Sequence, residues 1–282
     1  MIIVWQLLEL RHSREEGKKV RNPHVSLQLY TLRHEIEKDF SGSLERAATI
    51  GFSQVEPWNF VAQADNYAKA FTAYGISAPS AHAHLVGVDR RETFEAAAKL
   101  GIKTVIEPIV DQSRWVDVKD ISVIAHEMNK AAEEAVEYGL QVGYHNHAWE
   151  IANKINDVSA IEFFESLLET RVILEVDAYW VHAGGLHGPD LLSRLGNRVQ
   201  YLHIKDGKNV RSSENKFNER GELVKNEANT REQVPAGQGE VPLAQVIATA
   251  PHALPIVEFD EYAGDIFEGI KESLEYVKGL TQ

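Results

Sequence analysis

The stretch AAEEAVEYGLQVGYHNH (131–147) contains both halves of the repeating unit from which this chain is built. Through Tyr138 it is rich in alanine and glutamate, which favour helix. Gly139 then stands where a helix C-terminus usually places a glycine. A short apolar run, QVGY, follows at once and ends in the polar HNH. Helix, glycine, strand and polar strand end therefore succeed one another within 17 residues.

The same order recurs from His24 onward. Strands are expected at 24–30, 54–58, 76–84, 104–108, 141–147, 172–180, 199–206 and 255–262. Helical segments such as GSLERAATIGF, DNYAKAFTAYGI and RETFEAAAKLGI separate them, and Gly51, Gly75, Gly101 and Gly139 close helices ahead of the next strand. Strands alternating with helices form right-handed βαβ units on a parallel sheet. Eight units over roughly 250 residues match a (β/α)8 TIM barrel. The rival is an open doubly wound sheet, which usually carries a glycine-rich phosphate loop after its first strand. LQLYTLRHE has no glycine there. We therefore expect one barrel domain over residues 21–282.

Two segments depart from the rhythm. Residues 207–241 are long and polar and follow the seventh strand, on the face where barrel active sites lie; a lid is expected there. Residues 1–20 read as an N-terminal extension outside the native fold. Their apolar run precedes their charges, the reverse of a signal peptide. The purine-rich codons available to EEGKK, followed by Val20, suggest a start near Val20.

Composition narrows the function classes. The net charge of −13 disfavours nucleic acid, whose partners neutralise phosphates with basic faces. No apolar run of membrane-spanning length occurs. Cysteine is absent, which removes disulfides, thiolate metal sites and cysteine nucleophiles and fits a cytoplasmic protein. A small sugar or cyclitol is the expected partner, with homo-oligomerisation left open.

The chemistry collects at strand ends. They carry Gln28, Glu56, His82 and His84, Glu107, His145 and His147, Glu175 and Asp177, His203 with Lys205 and Asp206, and Glu258 with Asp260. Residues two apart share a face of a strand, so groups from neighbouring strands converge on the barrel axis. Imidazoles with carboxylates make a mixed N/O site for a divalent ion: Mn²⁺, Co²⁺, Mg²⁺ or Zn²⁺. Singly, each group has an ordinary structural reading. A lone strand-end histidine is more often hydrogen-bonded than ligating, Glu56 and Glu107 precede prolines and could cap helices, and Trp58, Trp149 and Trp180 could be core. Together, at one end of one barrel, the ordinary readings fail.

SLQLYT, GYHNHAWE, LEVDAYWV, YLHIKD, VPAGQGEVPL and IVEFDEY, in that order, resemble the sugar phosphate isomerase/epimerase superfamily, the xylose isomerase-like barrels. YHNH followed by Glu, then LEVD.YW, H.KD and VEFD, is similar to its branch of inosose dehydratases and 3-keto-sugar enzymes. The resemblance implies one divalent ion, Mn²⁺ foremost, held by Glu150, Asp177, His203 and Glu258. Many members have a carboxylate where this chain has His145. Either His145 replaces it, or Glu150 reaches back; the second restores the usual ligands and leaves His145 as the acid/base. His147 and Lys205 complete the expected catalytic group. Gln28, Glu56, Trp58, His84, Glu107, Trp180 and His182 are expected to meet substrate. The implied reaction is proton abstraction α to the carbonyl of a keto-sugar, 3-keto-glycoside or inosose, ending in isomerisation, epimerisation or loss of a β-substituent. The alternatives are a non-catalytic sugar-binding or partner-subunit barrel and, against the charge, an endonuclease IV-like repair enzyme.

Overall fold

A computed structural model describes residues 24–210 and 232–281. Its centre is eight parallel strands: β1 Ser26–Gln28, β2 Gln54–Glu56, β3 Ser80–His82, β4 Thr104–Glu107, β5 Gln141–His145, β6 Val172–Asp177, β7 Val199–Ile204 and β8 Leu254–Val257. Hydrogen bonding runs from β2 through β1, β8, β7, β6, β5 and β4 to β3. The remaining seam, between β2 and β3, is joined by the parallel bridges Gln54↔Ser77 and Trp58↔His82. An open doubly wound sheet would leave two free edges; here they meet, and the fold is a (β/α)8 TIM barrel. All eight expected strands are present but shorter. The third begins only at Ser80, because Pro79 has no amide to donate.

Helices cover the outside of the barrel. Val118–Ala135 buries Ile121, Ile124, Ala125, Met128, Ala131, Ala132 and Ala135, a helical stripe toward the strands. Asp117 caps its start by accepting from the Asp120 amide. Its chain continues through one 3-10 turn to Gly139, whose φ of 68° lies in the left-handed region that releases it into β5.

Strand alternation sorts the residues. Leu27, Val55, Ala81, Val105, Val142, Tyr144, Leu174 and Leu202 are buried between strands and helices. The opposite face lines the barrel. A usual barrel interior is layered valine, isoleucine and leucine. Here apolar filling, with Ile106, Ile173 and Ile256, is confined below, and Gly143 makes room for it. A Cβ on Gly143 would lie 2.5 Å from Ile173 Cδ1 and 2.7 Å from Ile106 Cδ1. Above these lie buried Gln28, Glu56, His82, His145, Glu175, Asp177, His203, Lys205 and Glu258. In register, His145 opposes Glu175 and, past a shift at Leu174/Glu175, Asp177 opposes His203.

Both described ends of the segment after β7 are tied at this face. The Asp206 carboxylate accepts from the amides of Gly207, Gly237, Gly239 and Val241 at 2.9, 2.9, 3.0 and 3.1 Å. Most of the expected lid, residues 211–231, and the whole extension 1–20 lie outside the described residues.

Candidate metal centre

The site has two tiers. In the lower, Gln28 Nε2 donates to Glu56 Oε1 at 2.7 Å and the Ser80 hydroxyl donates to Oε2. Glu56 Oε1 meets His203 Nε2 at 2.9 Å and His82 Nε2 at 3.1 Å. Glu175 Oε2 meets His82 Nε2 at 2.6 Å, His203 Nε2 at 3.1 Å and His145 Nδ1 at 3.1 Å. Burial alone would neutralise these groups. Opposite charges overcome it: Glu56 and Glu175 raise His82 to about 10. Against burial and Glu56, the fields of His203 and His82 bring Glu175 down to about 2.

The upper tier is His145, Asp177, His203 and Glu258. One donor atom of each lies within 4.8 Å of the others. Asp177 Oδ2 is 4.0 Å from His145 Nε2 and 4.0 Å from His203 Nδ1, and Glu258 Oε2 is 2.7 Å from His203 Nδ1. Bonds of roughly 2.0–2.2 Å to a shared divalent ion require donor spacings of this order. The two imidazoles belong to both tiers. Glu175 faces His145 Nδ1, while Glu56 and Glu175 face His203 Nε2. The opposite nitrogens are thereby turned to the upper tier, as carboxylates orient ligating histidines in metal sites. Asp177 Oδ2 is buried, faces both imidazoles at 4.0 Å and has the Lys205 ammonium as its close partner, at 3.0 Å. The donor set therefore fits a hard divalent ion.

Lys205 stands beside it. Its Nζ is 3.0 Å from Asp177 Oδ2, 2.8 Å from Glu258 Oε2 and 2.9 Å from Asp260 Oδ2. Burial opposes the charge, but Asp177, Asp260 and Glu258 hold the ammonium well above its ordinary range. Burial raises Asp177 to about 6 even with Lys205 adjacent.

The centre opens into a cavity of about 860 Å³. His82, His145, His147 and Glu258 line its polar end; Trp149 and Trp180 form a wall. His147 lies flat on Trp149, with centroids 4.6 Å apart and 1° between planes. Burial and then the Lys205 charge push His147 down to about 3, so its ring is neutral. Trp180 Nε1 is buried without an acceptor.

The sequence model of the xylose isomerase-like TIM barrel matches residues 44–255. The chain belongs to that family. No curated protein matches it in sequence. Among solved structures, a sugar phosphate isomerase/epimerase from Parabacteroides distasonis is similar over 95% of this chain and 98% of its own, at 19% identity and a TM-score of 0.73. The IolI protein with a bound zinc atom aligns over 92% and 98%, at 14% identity and 0.66. D-psicose 3-epimerase, solved in the presence of D-fructose, aligns over 92% and 99%, at 16% identity and 0.63. At these identities the likeness establishes the fold.

Within this xylose isomerase-like barrel, Asp177, His203 and Glu258 come together. Glu150 does not join them. It sits in the short helix Ala148–Ala152, accepting from Tyr144 Oη at 2.7 Å and from the His147 amide at 2.9 Å. Glu150 thus caps the helix in place of the expected reach back, and the fifth-strand group beside Asp177 and His203 is His145. Trp58, Trp180 and His84 line the cavity. Gln28 and Glu56 lie beneath it, as supports. Glu107 is spent on its surroundings: it accepts from the Leu85 and Val86 amides at 2.6 and 2.9 Å and meets His84 Nδ1 at 2.9 Å. His182 stands 3.8 Å from Glu240, off the cavity wall. His82 and Glu175, visible as strand-end groups, proved central to the lower tier. Trp149 and Tyr30 also line the cavity; both lie in the stretches GYHNHAWE and SLQLYT, but neither was expected to meet substrate.

Proposed function

We propose that this protein is a divalent-metal-dependent enzyme that removes the proton α to the carbonyl of a keto-sugar, 3-keto-glycoside or inosose. The outcome is isomerisation, epimerisation or loss of a β-substituent. One observation carries the reading: His145, Asp177, His203 and Glu258 converge beside a buried lysine at the polar end of a cavity of about 860 Å³. The zinc named for IolI and the sugar named for D-psicose 3-epimerase support the same class.

A divalent ion held by those four residues would supply Lewis-acid polarisation of a substrate oxygen. Glu56 and Glu175 orient the two imidazoles. Lys205 offers a fixed positive charge to an oxygen gaining negative charge, in a site where burial strengthens that interaction. His147 is the candidate base, neutral and on the cavity wall. Burial first and the Lys205 charge second depress its basicity, and negative charge developing on the substrate would oppose both.

The test is incubation of Mn²⁺-loaded protein with 3-keto-glycosides, inosose and simple ketoses in D₂O, followed by NMR. Deuterium is expected at the acidic carbon of at least one of them, and chelation is expected to abolish its entry. No incorporation into any compound sinks the reading.

A further inference from the structure

The cavity extends beyond what the polar end requires. Its volume of about 860 Å³ lies high in the ~300–1,000 Å³ range of clefts that enclose drug-sized molecules, and several times what one pyranose ring fills. Away from the histidines the lining is mixed: Phe60, Val61 and Ile109 stand with Arg33, Asn59 and Gln112, and it includes a corner of two rings. These are Tyr30 and Trp58, 5.9 Å apart between centroids and 88° between planes.

The corner is tied to the chemistry by main-chain bonds. Trp58 pairs with His82 across the β2–β3 seam, and the His82 amide donates to the Pro57 carbonyl at 2.8 Å. Asn59 follows with a φ of 47°, a left-handed turn that few side chains adopt without cost. The Tyr30 amide donates to Gln28 Oε1 at 3.0 Å, and the same Gln28 supports Glu56. The Arg33 guanidinium lies 4.3 Å from the Tyr30 ring centroid and donates to the Asp260 carbonyl at 2.6 Å. Tyr30 nevertheless remains 39% exposed. With the Arg33 guanidinium over one face of Tyr30, the remainder of that ring and the partly exposed Trp58 ring are held at a fixed place relative to the site, a surface suited to the flat apolar face of another ring.

We propose that the Tyr30–Trp58 corner is a subsite for a second ring, so that the substrate is a glycoside rather than a free keto-sugar or cyclitol. This rests on the keto-sugar reading of the polar end. The group beyond the glycosidic bond presents a flat apolar face, which an aryl aglycone and a second pyranose share.

Calorimetric binding of phenyl glucoside, cellobiose and methyl glucoside to the Mn²⁺-loaded full chain tests this. At least one two-ring probe is expected to bind about tenfold tighter than methyl glucoside, the scale of a stacking contact. Tighter phenyl glucoside alone identifies an aryl group; tighter cellobiose identifies a sugar. Trp58→Ala is expected to bring the affinity ratio close to one, and Trp58→Phe to keep most of it. Equal affinities in the wild type, no binding by any probe, or an unchanged ratio in Trp58→Ala overturns the subsite. The two readings fail separately. A two-ring preference without deuterium exchange leaves the subsite and removes the catalysis. Exchange with no two-ring preference does the reverse.

Discussion

At His145 the two ring nitrogens face different carboxylates, Nδ1 toward Glu175 and Nε2 toward Asp177. Glu150, five residues on, faces the tyrosine behind the strand. His145→Ala is therefore expected to weaken Mn²⁺ binding at least 100-fold, while Glu150→Gln keeps one ion per chain, as read by metal analysis after dialysis. The converse result would return the fifth-strand position to Glu150. Glu150 also makes a pH prediction. Burial raises it to about 8 from an ordinary 4.5, against the hydrogen bonds it accepts from Tyr144 and the His147 amide. Between those values the folded chain keeps a proton that the unfolded chain has lost. Unfolding releases it, so this group's contribution falls as pH rises, by at most about 1.4 kcal/mol per unit. Below pH 4.5 both states are protonated and the penalty vanishes. Urea midpoints of wild type against Glu150→Gln from pH 5 to 8 should diverge in favour of the variant. Parallel curves would refute the assignment. Parity made the pairing of His145 with His147 and of Glu175 with Asp177 legible in the sequence. It could not say which way Glu150 turns, because one helical turn separates the two directions and the Tyr144 hydroxyl decides between them.

Among the elements, β5 shows how packing sets the height of the site. Gly143 shares the inward face with His145, and Ile106 and Ile173 fill the space a side chain would take. Gly143→Ala must push those isoleucines upward or the strand outward. It is expected to cost about 1–3 kcal/mol, the usual penalty of overpacking, measured by denaturant unfolding. An unchanged midpoint would mean the barrel floor yields freely. The strands themselves were legible, since each follows a helix and ends in polar residues. Their ends were not: β3 was expected from 76 and begins at Ser80. The role of Asp206 was equally hidden. Its four amide donors come from both sides of residues 208–236, and no local pattern connects them.

For the whole molecule, binding of an ion to the folded state alone must raise its stability. At 1,000 times the dissociation constant the gain is ~4.1 kcal/mol, a rise on the order of 10 °C in Tm for a chain of this size. Calorimetry with and without Mn²⁺ should find it in the wild type, find it reversed by chelator, and find it missing in His145→Ala. A wild type indifferent to every divalent ion would count against the centre. The barrel follows from the sequence because alternation of helix, glycine and strand is local, and eight repeats leave a parallel sheet little choice but closure. That the strand ends carry acids and imidazoles is likewise written in the chain. Which of them meet was decided only in three dimensions. Glu56, Glu175 and His203 lie on strands distant in sequence, and their contacts depend on strand register, on the shift at Leu174/Glu175 and on closure of the β2–β3 seam. Register is set by the packing of whole faces, so a change of one residue would exchange the buried acids for the leucines and valines that now face the helices.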